Sequence, residues 1–550
     1  VTSVATGTEP TTRGFPAFRA GNGGWTSSLL AGAGALALYL ALAPPAVGDK
    51  DAAEFTLVLA TRGVAHPTGY PLYTLLGHPF VSLLHACGVG WAYAANAWSA
   101  LGGAVAVALL HRLARSLVAD ARGGAGPAWL PVVLFGLNPI WTFETTLAET
   151  GSWHVAWSCG AALLALRLLA KLDAPIVAAR VRRDAAIWGL VCGLGLAHHA
   201  TALLLATPLT LALAIPVRRR GLSARLFAPA LAGLLLPLLS YGFVAWRAFH
   251  PGTVQWPPLA PAWGAVLDHL RAAQYREYFG GFHPSSVQAR FLALYVYPFL
   301  ALSALAIGVA VRTAGTGPRR RLLLAIAAGC LVECAVTFSY GVADPSSYFL
   351  PILALGLVAT APAAARVGRA LSGRGRSPAV AGALIALTLV ALAAPWLRTG
   401  WDRRGVYVRH EQLIRSMWES VAAEPGFLIW ADDMAYRLRA WQILDGEKPG
   451  LVVVNPALLT HPWPRREFAR IHGFDPLAGV ALPRAGRLGQ AGADTVLANL
   501  SGGVARRLNL QSSLPVFVFD PAVPSVRLLR KPTTEPASPT STAPSSQLSR

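Results

Sequence analysis

The stretch Val47–Gly77, VGDKDAAEFTLVLATRGVAHPTGYPLYTLLG, follows directly on the first long apolar segment and carries three acids, Asp49, Asp51 and Glu54, within six positions. A His-Pro pair (His66, Pro67) and a second rigid turn, Gly69-Tyr70-Pro71, come next. Carboxylates just outside a hydrophobic span are costly to keep near hydrocarbon, so a cluster of them there marks a candidate site. Two apolar pieces of the stretch, Ala53–Thr61 and Leu72–Cys87, are short or amphipathic and are expected to lie along a membrane surface rather than cross it.

Outward from this stretch the chain is strongly apolar. Of its 550 residues 54% are hydrophobic and 13% charged, with a mean hydropathy of +0.47. Soluble domains carry about 25% charged residues, so the composition describes a polytopic membrane protein. The net charge of +21 does not indicate nucleic acid, because the arginines sit in short loops between apolar segments. The five cysteines show no metal-ligand spacing and read as small core residues.

The expected spans are Ser28–Val47, Ala92–Leu110, Ala128–Thr145, Trp153–Leu169, Ala185–Ala197, Ala200–Val217, Leu226–Trp246, Phe291–Val311, Leu322–Tyr340, Ser347–Ala364 and Ala379–Leu397, about eleven in all. The fifth and sixth are short and share one apolar run, so a re-entrant hairpin carrying His198 and His199 at its tip is the alternative for that pair. Basic clusters mark alternate loops: Arg112 to Arg122, Arg167 to Arg183, Arg218 to Arg225, Arg312 to Arg321 and Arg366 to Arg376. The opposite loops hold only scattered basic residues. The positive-inside bias therefore predicts a cytoplasmic N-terminus, with the acidic stretch and everything after Leu397 outside. The expected location is the plasma membrane of a bacterium, with the first apolar segment a retained anchor.

The composition becomes that of a soluble domain near Arg398. Phe427–Trp430 and Leu451–Val454 read as strands on either side of a helix over Asp433–Leu444, a βαβ pattern, and Phe517–Phe519 as a further edge strand. The expected organisation is a disordered cytoplasmic terminus (1–27), a transmembrane domain (28–397) with an external signature loop (48–91), an external α/β, Rossmann-like domain (398–530) and a disordered tail (531–550).

The residues Asp51-Ala-Ala-Glu54 and Gly63-Val-Ala-His66-Pro67-Thr-Gly-Tyr70-Pro71 resemble the opening signature of a family long labelled only as a domain of unknown function. Its vertebrate member is the endoplasmic-reticulum O-mannosyltransferase acting on the IPT domains of plexins and of the hepatocyte growth factor receptor. That family is similar to the GT-C glycosyltransferases, polytopic all-α enzymes that use polyprenyl-phosphate sugars. Asn96-Ala-Trp-Ser99, Asn138-Pro-Ile-Trp141 to Glu149, Gly195 to His199, Gln255-Trp256 with Gln274-Tyr275, and Asp344 to Pro351 resemble further family segments in the same order. The chain departs from the pattern after Glu149, where Thr150-Gly-Ser-Trp153 replaces Val-Tyr-x-Leu, and at Thr68, where a proline is usual.

The resemblance implies a glycosyltransferase moving a sugar, with mannose the first candidate, from a polyprenyl-phosphate donor to an external protein hydroxyl or glycolipid. The implied partners are membrane lipid, the lipid-linked donor and the acceptor, with no nucleic acid and no cofactor. Asp51 takes the family's Asp position as general base, with Asp49 a possible stand-in and Glu54, one helical turn on, orienting base or acceptor. His66, His198 and His199 are candidate phosphate or sugar contacts. Arg276 is an external cation able to face a phosphate, and Trp256, Tyr275 and Tyr348 are rings for stacking on a sugar or for the interfacial belt. Tyr70, Glu149 and Asp344 complete the candidate substrate site. No metal is called for, although Asp49, Asp51 and Glu54 could hold a divalent ion through oxygen ligands. A lipid transporter or flippase and a non-enzymatic envelope scaffold are the alternatives. The transporter is disfavoured by the absence of a visible internal repeat and by polar residues gathered on one face rather than at mid-membrane.

Overall fold

A computed structural model describes residues 23–49, 51–118, 126–173, 178–221, 223–250, 259–342, 344–372, 378–422, 424–431, 435–480, 490–520 and 525–529. It shows an all-α membrane bundle followed by a small sheet region. Eight helical segments among the described residues are long and apolar enough to cross a membrane: Trp25–Leu42, Trp91–Val118, Gly151–Asp173, Ala202–Arg219, Arg225–Ala248, Ser286–Thr313, Pro318–Phe338 and Ser346–Ala370.

The shortfall from eleven has specific causes. Ala128–Thr145 is not one helix but two, Gly126–Gly136 and Pro139–Thr146, joined through Leu137 and Asn138. Asn138 caps the second, its side chain accepting the Ile140 N–H at 3.0 Å, and Pro139 starts it, where a missing N–H costs nothing. Ala185–Ala197 belongs to the helix Ala178–His198, whose first turns carry Arg180, Arg182, Arg183 and Asp184. The Ala379–Leu397 segment lies in one 43-residue helix, Pro378–Ser420, and part of it falls outside the residues with described side chains.

The bundle core is built around Trp91–Val118, which packs against both Gly23–Leu42 and Gly151–Asp173. A second tight contact crosses Ala178–His198 with Ser223–Leu238. There a Cβ on Gly189 would stand 1.9 Å from the Ala230 carbonyl oxygen, and one on Gly233 would stand 2.1 Å from that of Ala186. Lipid tails are as apolar as leucine, so membrane helices associate through such close backbone approach at small residues. Gly189→Leu is therefore expected to destabilise the bundle by roughly 1–3 kcal/mol, read as a lower melting temperature in detergent. An unchanged melting temperature would show that this crossing is loose.

The helix Asp51–Thr61, expected to lie along the membrane surface rather than cross it, is not among the eight candidate spans and is covered by protein. Every residue from Ala52 to Ala60 is buried, because the helix is covered by Trp91–Val118 on one side and by Ala435–Leu444 of the C-terminal region on another.

That region holds a four-stranded sheet of order β2-β1-β3-β4, with β1 Gly426–Ile429, β2 Leu451–Val454, β3 Val516–Asp520 and β4 Ser525–Leu528. β1 pairs in parallel with both β2 and β3, Leu428 standing between Val453 and Phe517. The Phe517–Phe519 stretch is thus an interior strand and not the edge. The edge on that side is β4, which pairs antiparallel to β3 and is too short and mixed in polarity to stand out in the sequence; β2 is the other edge. One sheet face packs on Ile414, Met417 and Trp418 from the end of the long helix, and the other on Phe468, Leu500 and Val504. The helix Pro378–Ser420 passes unbroken through the composition change at residue 398 and is itself a layer of the C-terminal core.

Candidate active site

Asp51 is the first residue of its helix and is exposed, whereas Glu54, one turn on, is buried. The Glu54 carboxylate accepts two hydrogen bonds from His66, from the backbone N–H at 2.6 Å and across 3.1 Å to ring Nδ1. Asp51, Glu54 and His66 each offer one ligand atom, all within 4.8 Å of one another. Two carboxylates and an imidazole are a donor set that could hold a divalent cation. The acid trio suggested by spacing does not assemble, because Asp49 turns away to accept the Tyr407 hydroxyl of the long helix at 2.8 Å.

Burial pushes the Glu54 carboxyl up to about 6, against the pull of the His66 imidazole. Burial alone would lower His66, but the Glu54 and Asp51 carboxylates outweigh it and hold the ring at about 9. A buried imidazolium beside a buried carboxylate therefore stands at neutral pH. The His66 value is raised by folding, so its contribution to stability is complete below about pH 6.5 and is lost as pH rises through about 9. In chelator-treated protein the melting temperature is expected to fall from pH 7 to 9 and to flatten in His66→Gln. An identical slope in that variant would assign the dependence to other groups.

A rigid aromatic layer backs the pair. Tyr70 packs edge-on against Phe55 at 5.5 Å and against His66 at 5.0 Å between ring centroids. The turn holding it is tight: Gly69 has φ of +90° and Tyr70 itself sits in the left-handed region at +44°, a position uncommon for a bulky residue.

These groups open on a cavity enclosing about 570 Å³ of space, part of it solvent. Asp51, His66, Tyr70, Glu149, His199 and Tyr348 all line it, drawn from four separate parts of the chain. Sequence reasoning did not place Glu144, His154 or Glu333 in the candidate site, yet all three line the cavity as well. Within the segment that departs from the family pattern after Glu149, Gly151 packs against Glu144. The Glu144 Oε1 accepts the Gly151 N–H at 3.0 Å, and a Cβ on residue 151 would lie 2.2 Å from that oxygen. Glycine there makes room for the acid. His199 and His154 share the Thr201 hydroxyl, at 2.7 and 3.1 Å. Burial, with His198 and His66 nearby, pushes the His199 ring down to about 3, so it is neutral at pH 7. Glu333 left a readable signal, a lone acid in the apolar run LLLAIAAGCLVECAVTF.

Other candidates lie off the cavity wall. His198 is buried with its Nε2 on the Thr150 carbonyl at 3.1 Å. Tyr275 stands 6.4 Å from His66 between ring centroids, Arg276 is exposed, and Asp344 accepts the Ser346 hydroxyl at 3.0 Å. Trp256 lies outside the described residues.

Residues 51–221 match the family described as "Protein O-mannosyl-transferase TMEM260 N-terminal domain". The protein O-mannosyl-transferase TMEM260 of Mus musculus is 29% identical over 199 residues, 35% of this chain and 26% of the mouse protein. The chain thus spans about a quarter of the length of the curated relative it matches. Among solved structures, ArnT from Cupriavidus metallidurans bound to undecaprenyl phosphate is similar with a TM-score of 0.48 at 15% identity, over 76% of this chain and 85% of that one. Its apo state gives 0.49 at 14% identity, over 80% and 91%. The apo Archaeoglobus fulgidus oligosaccharyltransferase gives 0.45 at 12%, over 75% and 63%. The similarity to the TMEM260 N-terminal domain family covers residues 51–221, which carry the Asp51 helix, the His66 turn and the Glu144–His199 side of the cavity.

Proposed function

We propose that the protein is an integral membrane glycosyltransferase of GT-C type that moves one sugar from a polyprenyl-phosphate donor to an acceptor on the external face. The observation that supports this reading is Asp51 set beside the Glu54–His66 pair at a polar cavity in an apolar bundle, inside the residues that match the O-mannosyl-transferase family. Asp51 takes the proton of the acceptor hydroxyl while the acceptor oxygen bonds to the anomeric carbon. The bond from that carbon to the donor phosphate breaks, and its electron pair leaves with the phosphate. Glu54 holds His66 and the loop in place. The mouse relative's name makes mannose the first sugar and a protein hydroxyl the first acceptor to test, with a glycolipid second.

The orientation belongs to the same proposal. The helices Ala178–His198 and Pro378–Ser420 and the broken pair Gly126–Gly136 and Pro139–Thr146 would add three crossings to the eight, giving an odd count. An odd count with a cytoplasmic N-terminus sets the acidic loop (48–91) and a Rossmann-like unit (398–530) outside the bacterial plasma membrane, beyond a transmembrane unit of 28–397. Reporters fused after Arg220 and Arg376 are expected to read cytoplasm, and one after Leu459 the exterior. A cytoplasmic reading at Leu459 would overturn the parity and with it the external site. The activity itself is tested with purified protein in detergent and a panel of radiolabelled polyprenyl-phosphate sugars. Consumption of one of them is expected; consumption of none in the presence of acceptor extracts refutes the assignment.

A further inference from the structure

Glu333 lies in Pro318–Phe338, one of the eight apolar helices, and is only 5% exposed. No hydrogen bond or ion pair to it occurs among the described residues. An acid buried in such a helix without a partner is expensive to keep and marks a site by default. Its side chain lines the same cavity as Asp51, Glu144 and Glu149, from the opposite part of the sequence.

The lining as a whole indicates what fits. Among the described residues it contains four carboxyl-bearing side chains and no Lys or Arg, and its one imidazolium, His66, is already paired with Glu54. A phosphate placed among four acids would meet like charge on several sides. A polyhydroxylated ring meets complementary chemistry instead, since one carboxyl group can engage two neighbouring hydroxyls. Phe55, Tyr70 and Tyr348 in the same wall offer flat apolar faces to the ring's C–H surface. Among the four acids, Glu144 is committed to the Gly151 N–H, and Asp51 is needed at the acceptor.

We propose that Glu333 is the donor-sugar residue of this cavity, hydrogen-bonding two ring hydroxyls of the polyprenyl-phosphate-linked sugar while the phosphate stays outside the acidic pocket. The inference rests on the glycosyltransferase reading and adds to it which part of the donor enters the cavity and what holds it.

The test compares two lipids on the full-length chain in detergent: the radiolabelled polyprenyl-phosphate sugar that wild type consumes, and polyprenyl phosphate with no sugar. Glu333→Leu is expected to weaken the sugar-bearing lipid about ten- to a hundredfold, the scale of two lost hydrogen bonds. It should leave the bare lipid within about twofold. Glu333→Gln keeps the shape and part of the bonding, and should fall between, which covers the case in which the leucine variant fails to fold. Equal weakening of both lipids would make Glu333 a structural residue, and no weakening of either would remove it from the site; each outcome overturns the proposal. If wild type consumes no lipid-linked sugar, the glycosyltransferase reading falls and this inference with it; if wild type consumes one but binds it no better than the bare lipid, the inference alone falls. Discrimination by wild type that persists in both variants sinks the inference alone.

Discussion

Asp51→Asn is expected to slow sugar transfer by about 10² to 10⁴-fold, the usual scale for loss of a general base, while donor binding stays near wild type. The substitution keeps the size and most of the hydrogen bonding of the side chain but removes its basicity. Two neighbours make the test specific. Asp49 accepts the Tyr407 hydroxyl, so Asp49→Asn should act on the loop's attachment and cost far less than the loss at Asp51. Glu54 holds His66 through two hydrogen bonds, so Glu54→Gln should cost less than Asp51→Asn and should shift the pH profile as well as the rate. Abolished turnover in Asp49→Asn beside a near wild-type Asp51→Asn would move the base by two residues. Equal loss of donor binding in the Asp51 and Glu54 variants would point to a bound cation organised by Asp51, Glu54 and His66 instead of a base. Near wild-type rates in all three would take the loop out of the chemistry and leave Glu149 and Asp344 as the next carboxylates to vary.

The second large effect is expected at Arg437, far along the chain from the acidic loop. It is fully buried in the helix Ala435–Leu444, hydrogen-bonds the Val47 and Gly48 carbonyls, and lies 3.1 Å from the Glu411 carboxylate. These contacts tie the C-terminal region to the backbone just before Asp51. Arg437→Met fills the space but leaves two carbonyls and a largely buried carboxylate without their partner. Breaking a buried pair from one side costs about 3 kcal/mol or more, so the melting temperature should drop and transfer should slow as the Asp51 helix loses its anchor. The exposed pair Arg398–Asp402 is the control, since such surface pairs contribute about 0–1 kcal/mol. If Arg437→Met melts and turns over like wild type, the C-terminal region does not support the site. The same contacts bear on whether residues 401–529 fold alone. The long helix supplies Ile414, Met417 and Trp418 to their core, and a fragment keeping those residues is the one to try.

Much of the architecture was readable from local chemistry. Hydrophobic runs of membrane length are set by the bilayer, so most spans could be marked from composition alone, and Leu451–Val454 could be read as a strand from its run of β-branched residues. The Asp51, Glu54 and His66 signature was readable because its polar residues crowd into one short stretch. Local patterns failed where a tertiary partner decided the outcome. Asn138-Pro139 broke an apolar run that hydropathy read as continuous, because a side-chain cap and a missing N–H count for more there than average polarity. The Phe517–Phe519 strand became interior only because β4 paired beside it. Asp49 and Asp51 look interchangeable in the sequence, and the Tyr407 hydroxyl, more than 350 residues away, separates them. The convergence of Glu144, His154 and Glu333 on one cavity was decided by helix packing. Hydrophobicity and periodicity describe which face of a helix is apolar, but where buried carboxyl groups meet depends on how the helices cross.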